Sequence, residues 1–181
     1  MLHLDAHATT PSAIAERLHY SAMSVGRAFE DLVALKLANT ERHGKERHLT
    51  FKAEGRRLLE LARALLRSPV RTVKYIRDLP LTSNLKRAGE TALAELTDLS
   101  RSKTATYAVA ANDWQSTKRA FSLVEVQENE SDIAVETWSY DPAGLSDGSV
   151  VDRLSLYAQF YHHHDERVSM AVEKLLEGFV W

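Results

Sequence analysis

The stretch that most constrains the fold of this chain covers residues 10–66. Thr10 and Pro11 are placed to cap and open a helix, and a tight turn separates it from a second helix predicted over residues 21–35. A hairpin with a basic tip follows, and a third helix is predicted over residues 53–67. This order predicts a small folded unit built on the second helix.

The second predicted helix has two distinct faces. Ser21 is a candidate N-cap, because its hydroxyl can accept a backbone N–H of the first turn. Apolar residues at helical spacing predict one buried stripe, formed by Val25, Phe29, Leu32 and Leu35 together with Ala28. The opposite face carries small or polar residues, namely Ala22, Met23, Ser24, Gly26, Arg27 and Asp31. An ordinary amphipathic helix would show the same pattern, so the flanking elements must favour a more specific interpretation.

The polar face of this helix suits DNA. Small residues let a helix lie deep in the major groove. Ser24 can hydrogen-bond to base edges or phosphates, and Arg27 can contact a guanine with two hydrogen bonds or bind a phosphate. We therefore expect Ser21, Met23, Ser24 and Arg27 to contact DNA.

The hairpin is predicted from two extended segments, residues 37–42 and 47–52. Gly44 between them can adopt the positive φ that a tight turn requires. Its tip is basic, with Arg42, His43, Lys45 and Arg47, and His48 lies beside them. These side chains suit the phosphates or the minor groove next to a recognition helix. The alternative is a solvated hairpin whose charges prevent edge pairing.

Together these elements have the order of a winged helix-turn-helix, and residues 12–66 resemble the DNA-binding domain of MarR-type winged-helix repressors. The resemblance implies a winged-helix fold and sequence-specific DNA binding by a transcriptional regulator. It is carried by Arg47 in the hairpin and by three segments, residues 14–18 (IAERL), 24–32 (SVGRAFEDL) and 51–59 (FKAEGRRLL).

The chain departs from that family at three places. The family usually has glycine where Lys36 stands, after the recognition helix, and threonine where Lys52 stands, as the cap of the next helix. The family also begins with a long dimerisation helix, whereas only about a dozen residues precede the matched segment in this sequence. The chain is then expected to dimerise by other means, to be monomeric, or to be a fragment of a longer protein.

Charge divides the chain of 181 residues, whose formal net charge is −2. Residues 1–77 hold 14 Lys and Arg against 8 Asp and Glu, whereas residues 78–181 hold 9 against 17. This predicts a DNA-binding domain over residues 1–78 and an acidic domain over residues 79–181.

Because cysteine, a signal peptide and an apolar run of membrane-span length are all missing from the sequence, we expect a cytoplasmic location.

The acidic part is predicted as a small α+β domain. Residues 70–78 are interpreted as a short helix or connector. The remaining pattern predicts a helix, three strands that include an antiparallel hairpin, and a long C-terminal helix, at residues 85–99, 104–110, 122–127, 133–140 and 150–176. The whole chain is thus expected to be α+β.

The acidic part weakly resembles the C-terminal region of AbiE-type antitoxin regulators. This resemblance implies a bacterial regulator encoded beside a nucleotidyltransferase-like partner. It is carried by residues 88–93 (AGETAL), 106–109 (TYAV), 152–157 (DRLSLY) and 165–168 (DERV).

Three groups of side chains invite a chemical interpretation. Histidines 162–164 would point about 100° apart on a helix and cannot share one metal ion, although His162 and Glu166 could supply two ligands. Paired carboxylates could act in catalysis, but we expect a solvated face from Glu125, Glu128, Glu130, Asp132 and Glu136. Aromatic residues could line an effector pocket, but we expect core positions for Trp114, Trp138, Tyr140, Tyr157 and Tyr161.

These patterns favour a sequence-specific, DNA-binding transcriptional regulator of bacterial type, expected to be a repressor. Its partner would be double-stranded DNA, with a homodimer or a protein complex formed through the acidic domain and no membrane contact. No phosphate loop or nucleophile elbow occurs, so we expect no enzyme activity, catalytic residue, metal or cofactor. The alternative is a protein-interaction module, or an antitoxin-like regulator, that uses the winged helix as a scaffold.

Overall fold

The computed structural model describes residues 10–18, 20–146 and 148–177, with the side chain of Arg17 left out. The chain is α+β, as expected, and divides into two compact units, with the boundary between Leu66 and Arg67. The boundary predicted after residue 78 is therefore too late. Strand Val70–Ile76 belongs to the sheet of the second unit, and its hydrogen-bonding partners lie about 50 to 70 residues further along the chain.

The first unit has the predicted order of helix, helix, hairpin and helix. Thr10 caps the first helix by accepting the Ala13 N–H at 3.3 Å. The third helix begins at residue 55 and continues into a 3₁₀ turn, Arg63–Leu65. The elements are α1 (Pro11–Leu18), α2 (Ala22–Ala34), β1 (Ala38–His43), β2 (Glu46–Phe51) and α3 (Gly55–Ala62).

The core of this unit confirms most of the predicted stripe. Val25 and Phe29 are buried, and Leu32 packs beside them. There are two exceptions, since Ala28 is exposed and so is 48% of Leu35. Leu35 is the C-cap of α2, where the chain leaves the helix and turns the side chain away from the buried face. The buried cluster consists of Ile14, Ala15, Val25, Phe29, Ala38 and Leu49.

The second unit is a five-stranded sheet with helices. Its elements are β3 (Val70–Ile76), β4 (Lys86–Arg87), α4 (Gly89–Leu96), β5 (Ala105–Ala110), α5 (Trp114–Ala120), β6 (Glu125–Val126), β7 (Ile133–Trp138), α6 (Arg153–Phe160) and α7 (Glu166–Leu175). The strand order is β4-β5-β7-β3-β6, and β5 runs parallel to β7 while the other pairs are antiparallel. Helices α4, α6 and α7 pack against one another.

Five predictions for the second unit were wrong. The helix expected over residues 85–99 is confined to Gly89–Leu96, because Lys86–Arg87 form strand β4. Residues 70–78 contain a strand. The expected hairpin does not form, because β6 pairs with β3 and not with β7. The predicted sheet was antiparallel, but β5 and β7 are parallel. The long C-terminal helix is two helices, since Asp165 caps α7 by accepting the Arg167 N–H at 2.8 Å and so competes with a continuous helix.

The middle strand β7 is covered on both faces. Val135 lies in a cluster with Trp114 and Ile76, whereas the neighbouring Glu136 points to the other side of the sheet, towards α4 and α6. Trp138 is fully buried. Among the helices that the structure describes, none has the length and apolar character needed to cross a membrane.

Candidate nucleic-acid interface

The leading end of α2 is held by two serines. Ser21 has extended backbone dihedrals and its hydroxyl accepts the Ser24 N–H at 3.1 Å, which confirms it as the N-cap. The two hydroxyl oxygens are 2.9 Å apart, and both residues are exposed. This bond fixes the first turn of the helix while its polar side faces solvent.

The next turn of α2 presents an accessible surface. Met23 is 70% exposed, and the Arg27 guanidinium lies 3.9 Å from its sulfur. A Cβ built on Gly26 would meet nothing within 4 Å. Within the described ranges, Arg27 forms no ion pair. Its charge is therefore available to an external anion.

The hairpin tip carries two further cations of this kind. Gly44 has the predicted positive φ, 65°, and forms the turn between β1 and β2. Arg42 and Lys45 are exposed and make no ion pair with any residue of the described segments. His43 differs, because its Nε2 is 3.7 Å from Glu41 and its ring meets His48 edge to face.

Arg47 connects the hairpin to the helix. Its guanidinium donates to Glu30 on α2 over 3.2 Å, and about a third of its side chain is exposed. The sequence favoured Arg47 as a DNA contact but gave Glu30 no role, since a partner 17 positions away leaves no local pattern. This ion pair links β2 to the helix whose exposed face carries Arg27.

The end of α2 explains the departure at Lys36. Lys36 has φ of +60°, the left-handed conformation in which glycine is favoured. Its N–H donates to the Val33 carbonyl at 2.9 Å, and the Leu37 N–H donates to the Leu32 carbonyl at 3.0 Å. These are the two hydrogen bonds of a Schellman motif. Lysine therefore occupies a position whose backbone geometry suits the glycine of the resembled family.

Lys52, the second residue at which the chain departs from the MarR-type family, lies just before a helix with an unusual start. Lys52 donates its backbone N–H to the Leu37 carbonyl at 2.9 Å. Helix α3 begins at Gly55, whose φ is +54°, and Glu54 occupies the N-cap without a side-chain cap bond. The helix predicted from residue 53 therefore starts two residues later.

Because the first unit ends at Leu66, its net charge is smaller than the net charge expected for residues 1–78. Residues 1–66 hold 10 Lys and Arg against 8 Asp and Glu, a net charge of +2. The larger surplus expected for the first domain came from four residues that belong to the second unit, Arg67, Arg71, Lys74 and Arg77. Any attraction for DNA must come from the local placement of cations on α2 and the hairpin.

The histidine run forms the turn between α6 and α7. Residues 162–164 are exposed, and the His163 ring accepts the Asp165 N–H at 3.2 Å. The His163 carbonyl accepts the Ser169 hydroxyl at 2.9 Å. Over the part of the chain that the structure describes, no group of three or more His, Asp or Glu side chains is arranged to hold a metal ion.

The predicted carboxylate face is solvated except at one position. Glu125 is exposed and lies 2.6 Å from Lys118, which lowers its pKa. Glu136 is only 5% exposed, so its assignment to a solvated face was wrong. Trp138 Nε1 and Gln159 Nε2 donate to its carboxylate at 2.9 and 2.8 Å. Burial nevertheless raises the pKa of Glu136, because the charged form loses its hydration.

The aromatic residues of the second unit are mainly core, as expected. Trp114, Trp138 and Tyr157 are buried, and Tyr140 and Tyr161 are half-buried.

Comparisons of the chain with protein-family models, with curated proteins and with solved structures found no match. The chemical groups that α2 and the hairpin offer to a binding partner are their exposed hydroxyl, thioether, guanidinium and ammonium groups.

Proposed function

We propose that the first unit is a winged helix-turn-helix that binds double-stranded DNA sequence-specifically, and that the protein is a transcriptional repressor of bacterial type. The observation that carries the proposal is the accessible face of α2, where Arg27 lies beside Met23 and has no carboxylate partner among the residues that the structure describes. Hydroxyl and guanidinium groups at the start of an exposed helix suit the base edges of a major groove.

The leading turns of α2 would supply the base contacts. Ser24 offers a hydroxyl that can donate or accept, and Arg27 can donate two hydrogen bonds to a guanine. The open space at Gly26 permits a close approach of the helix to the groove. Met23 would add an apolar contact, for example with a thymine methyl group.

The hairpin would bind the flanking backbone. Arg42 and Lys45 are exposed cations at its tip, and phosphate binding by such residues releases counterions from DNA. The Arg47–Glu30 ion pair would hold the hairpin in a fixed direction relative to α2. In this proposal Arg47 positions the hairpin, while Arg42 and Lys45 make the contacts.

The second unit would supply dimerisation or bind a partner protein. Its residues, 67–179, hold 13 Lys and Arg against 17 Asp and Glu, which disfavours close contact with phosphates. A dimer would read two half-sites separated by about one turn of DNA.

A protein-interaction module is the second candidate. It is favoured by the small net charge of residues 1–66 and by Glu41 and Glu46, whose carboxylates lie beside His43 and His48 on the hairpin. A protein surface tolerates such mixed charges better than a DNA backbone does. In that case the fold would serve as a scaffold.

Selection from a random duplex pool, followed by fluorescence anisotropy, tests the two candidates. We expect an enriched sequence that the full chain binds at least tenfold more tightly than a scrambled duplex, with the preference lost in Arg27→Ala. The matched control is Arg119→Ala, which removes an exposed arginine from α5 in the second unit. Failure to enrich any sequence, or equal losses in both variants, would contradict the repressor proposal.

A further inference from the structure

A pocket of about 380 Å³ lies beside the edge strand β4 in the second unit. Its volume is within the range of small-molecule sites, which is about 300–1,000 Å³. Residues from three separate segments surround it, including Leu79, Leu85, Lys86, Arg87, Tyr107 and Ser149. No sequence pattern marks a site of this kind, because its parts are up to 70 residues apart.

The floor of the pocket is held by backbone hydrogen bonds. Arg87 pairs with Tyr107 on β5, on one side of β4. On the other side, the Arg87 N–H donates to the Ser149 carbonyl at 2.9 Å, and the Val151 N–H donates to the Arg87 carbonyl at 3.0 Å. The short strand is thus paired along both edges, which keeps the floor of the pocket in place.

The two cations of the pocket have different surroundings. The Arg87 guanidinium is already paired, since it donates to both carboxylate oxygens of Glu95 at 2.6 and 2.8 Å and to the Ser149 hydroxyl at 2.7 Å. This pairing lowers the pKa of Glu95, so its carboxylate stays ionised and balances the arginine. Lys86 donates to the Gly148 carbonyl and has no carboxylate partner among the described residues.

Among the described residues that line the pocket, the charge left unbalanced is one positive unit, located at Lys86. No acidic residue of the described segments lines the cavity. The rest of the lining is mixed. Its apolar side chains include Leu79 and Leu85, which are half-buried, and Leu81, which is exposed, while Ser83, Asn84 and Ser149 are polar.

We propose that this pocket binds a small aliphatic monocarboxylate. The carboxylate would accept hydrogen bonds from the Lys86 ammonium, and its hydrocarbon chain would lie against Leu81, Leu85 and the Tyr107 ring. A phosphate dianion fits less well, because its second charge would have no counterion among the described residues that line the pocket. The proposal is independent of DNA binding by the first unit.

Calorimetric titration of the full chain with acetate, hexanoate and octanoate tests this site. We expect hexanoate and octanoate to bind more tightly than acetate, by about fourfold for each methylene that is buried. The comparison probes are 1-hexanol and inorganic phosphate. Tighter binding of phosphate, equal binding of the alcohol, or no binding of any acid at concentrations on the order of 10 mM would overturn the proposal.

Two variants locate the site. Lys86→Met keeps the apolar stem and removes the charge, and we expect it to weaken hexanoate binding at least tenfold. The matched control is Lys103→Met, which removes an exposed lysine between α4 and β5. Amide chemical shifts provide a second measurement, with changes expected at Arg87, Tyr107 and Ser149. Unchanged affinity in Lys86→Met, or shift changes confined to other regions, would overturn the assignment.

Discussion

The side-chain amide of Gln159 on α6 donates a hydrogen bond of 2.8 Å to the buried carboxylate of Glu136 on β7. The amide oxygen of Gln159 is itself buried and has no hydrogen-bond partner among the described residues. A protonated Glu136 could donate to that oxygen after rotation of the amide group. Burial and this unsatisfied acceptor therefore both favour the neutral acid.

Replacement of Glu136 by glutamine should reduce the pH dependence of stability. The folded-state pKa of Glu136 is raised above its ordinary value of 4.5 by burial, so folding favours the protonated form. The stability that this group contributes is fully present below the unfolded-state pKa and is lost as pH rises through the folded-state pKa. We expect Glu136→Gln to gain stability relative to the parent as pH rises from 4 to 8, as measured by urea unfolding.

Glu125→Gln is the control with the opposite sign. Its pKa is lowered by Lys118, so its contribution is present above the unfolded-state pKa and is lost as pH falls. Parallel stability profiles for the parent and Glu136→Gln would contradict the role assigned to the buried carboxylate.

Lys36→Gly should stabilise the first unit by about 0.5–1 kcal/mol. The left-handed φ of +60° costs a lysine side chain more than it costs glycine, which outweighs the greater flexibility of glycine in the unfolded chain. Urea unfolding followed by far-UV circular dichroism measures the change. Lys52→Gly is the matched control, because its φ is not positive, and it should destabilise by a similar amount. Equal effects of the two changes would rule out the backbone explanation.

Charge reversal at the hairpin tip should weaken DNA binding if the proposed function holds. The double variant Arg42→Glu, Lys45→Glu removes two phosphate contacts. We expect the negative slope of log affinity against log salt to become shallower by about 2. Glu41→Gln should raise affinity, because it removes a negative charge from the same hairpin. Anisotropy at several salt concentrations measures both effects, and an unchanged slope in the double variant would remove the hairpin from the interface.

Gly89→Ala should destabilise the second unit by about 1–3 kcal/mol. A Cβ at this position would lie 2.9 Å from Thr106 Cγ2 and 3.0 Å from the Glu136 carboxylate, at a φ of +55°. Gly26→Ala is the control, since its Cβ would enter open space within a helix and should stabilise by about 0.5–1 kcal/mol. Thermal unfolding of both variants checks the opposite signs.

Local sequence was sufficient to determine most of the first unit. The cap at Ser21, the apolar spacing of Val25 and Phe29, and the glycine of the hairpin turn act over a few residues each, so they can be recognised without knowing the rest of the fold. The eight residues expected to contact DNA lie on the α2 and hairpin segments predicted for them. Their function is still a proposal, and the partner of Arg47 could not be inferred from any local pattern.

The strand pairing and the burial pattern of the second unit depend on its tertiary structure. The sequence of residues 70–76 is compatible with several local structures and becomes a strand because β7 and β6 pair with it. The alternation around Glu136 is the same for a solvated edge and a covered central strand, and only the packing of α4 and α6 makes that side a buried one. The pocket at Lys86 likewise exists because segments distant in sequence are brought together by the sheet. Strand pairing and burial depend on such distant partners, and a local pattern carries no information about which partners they are.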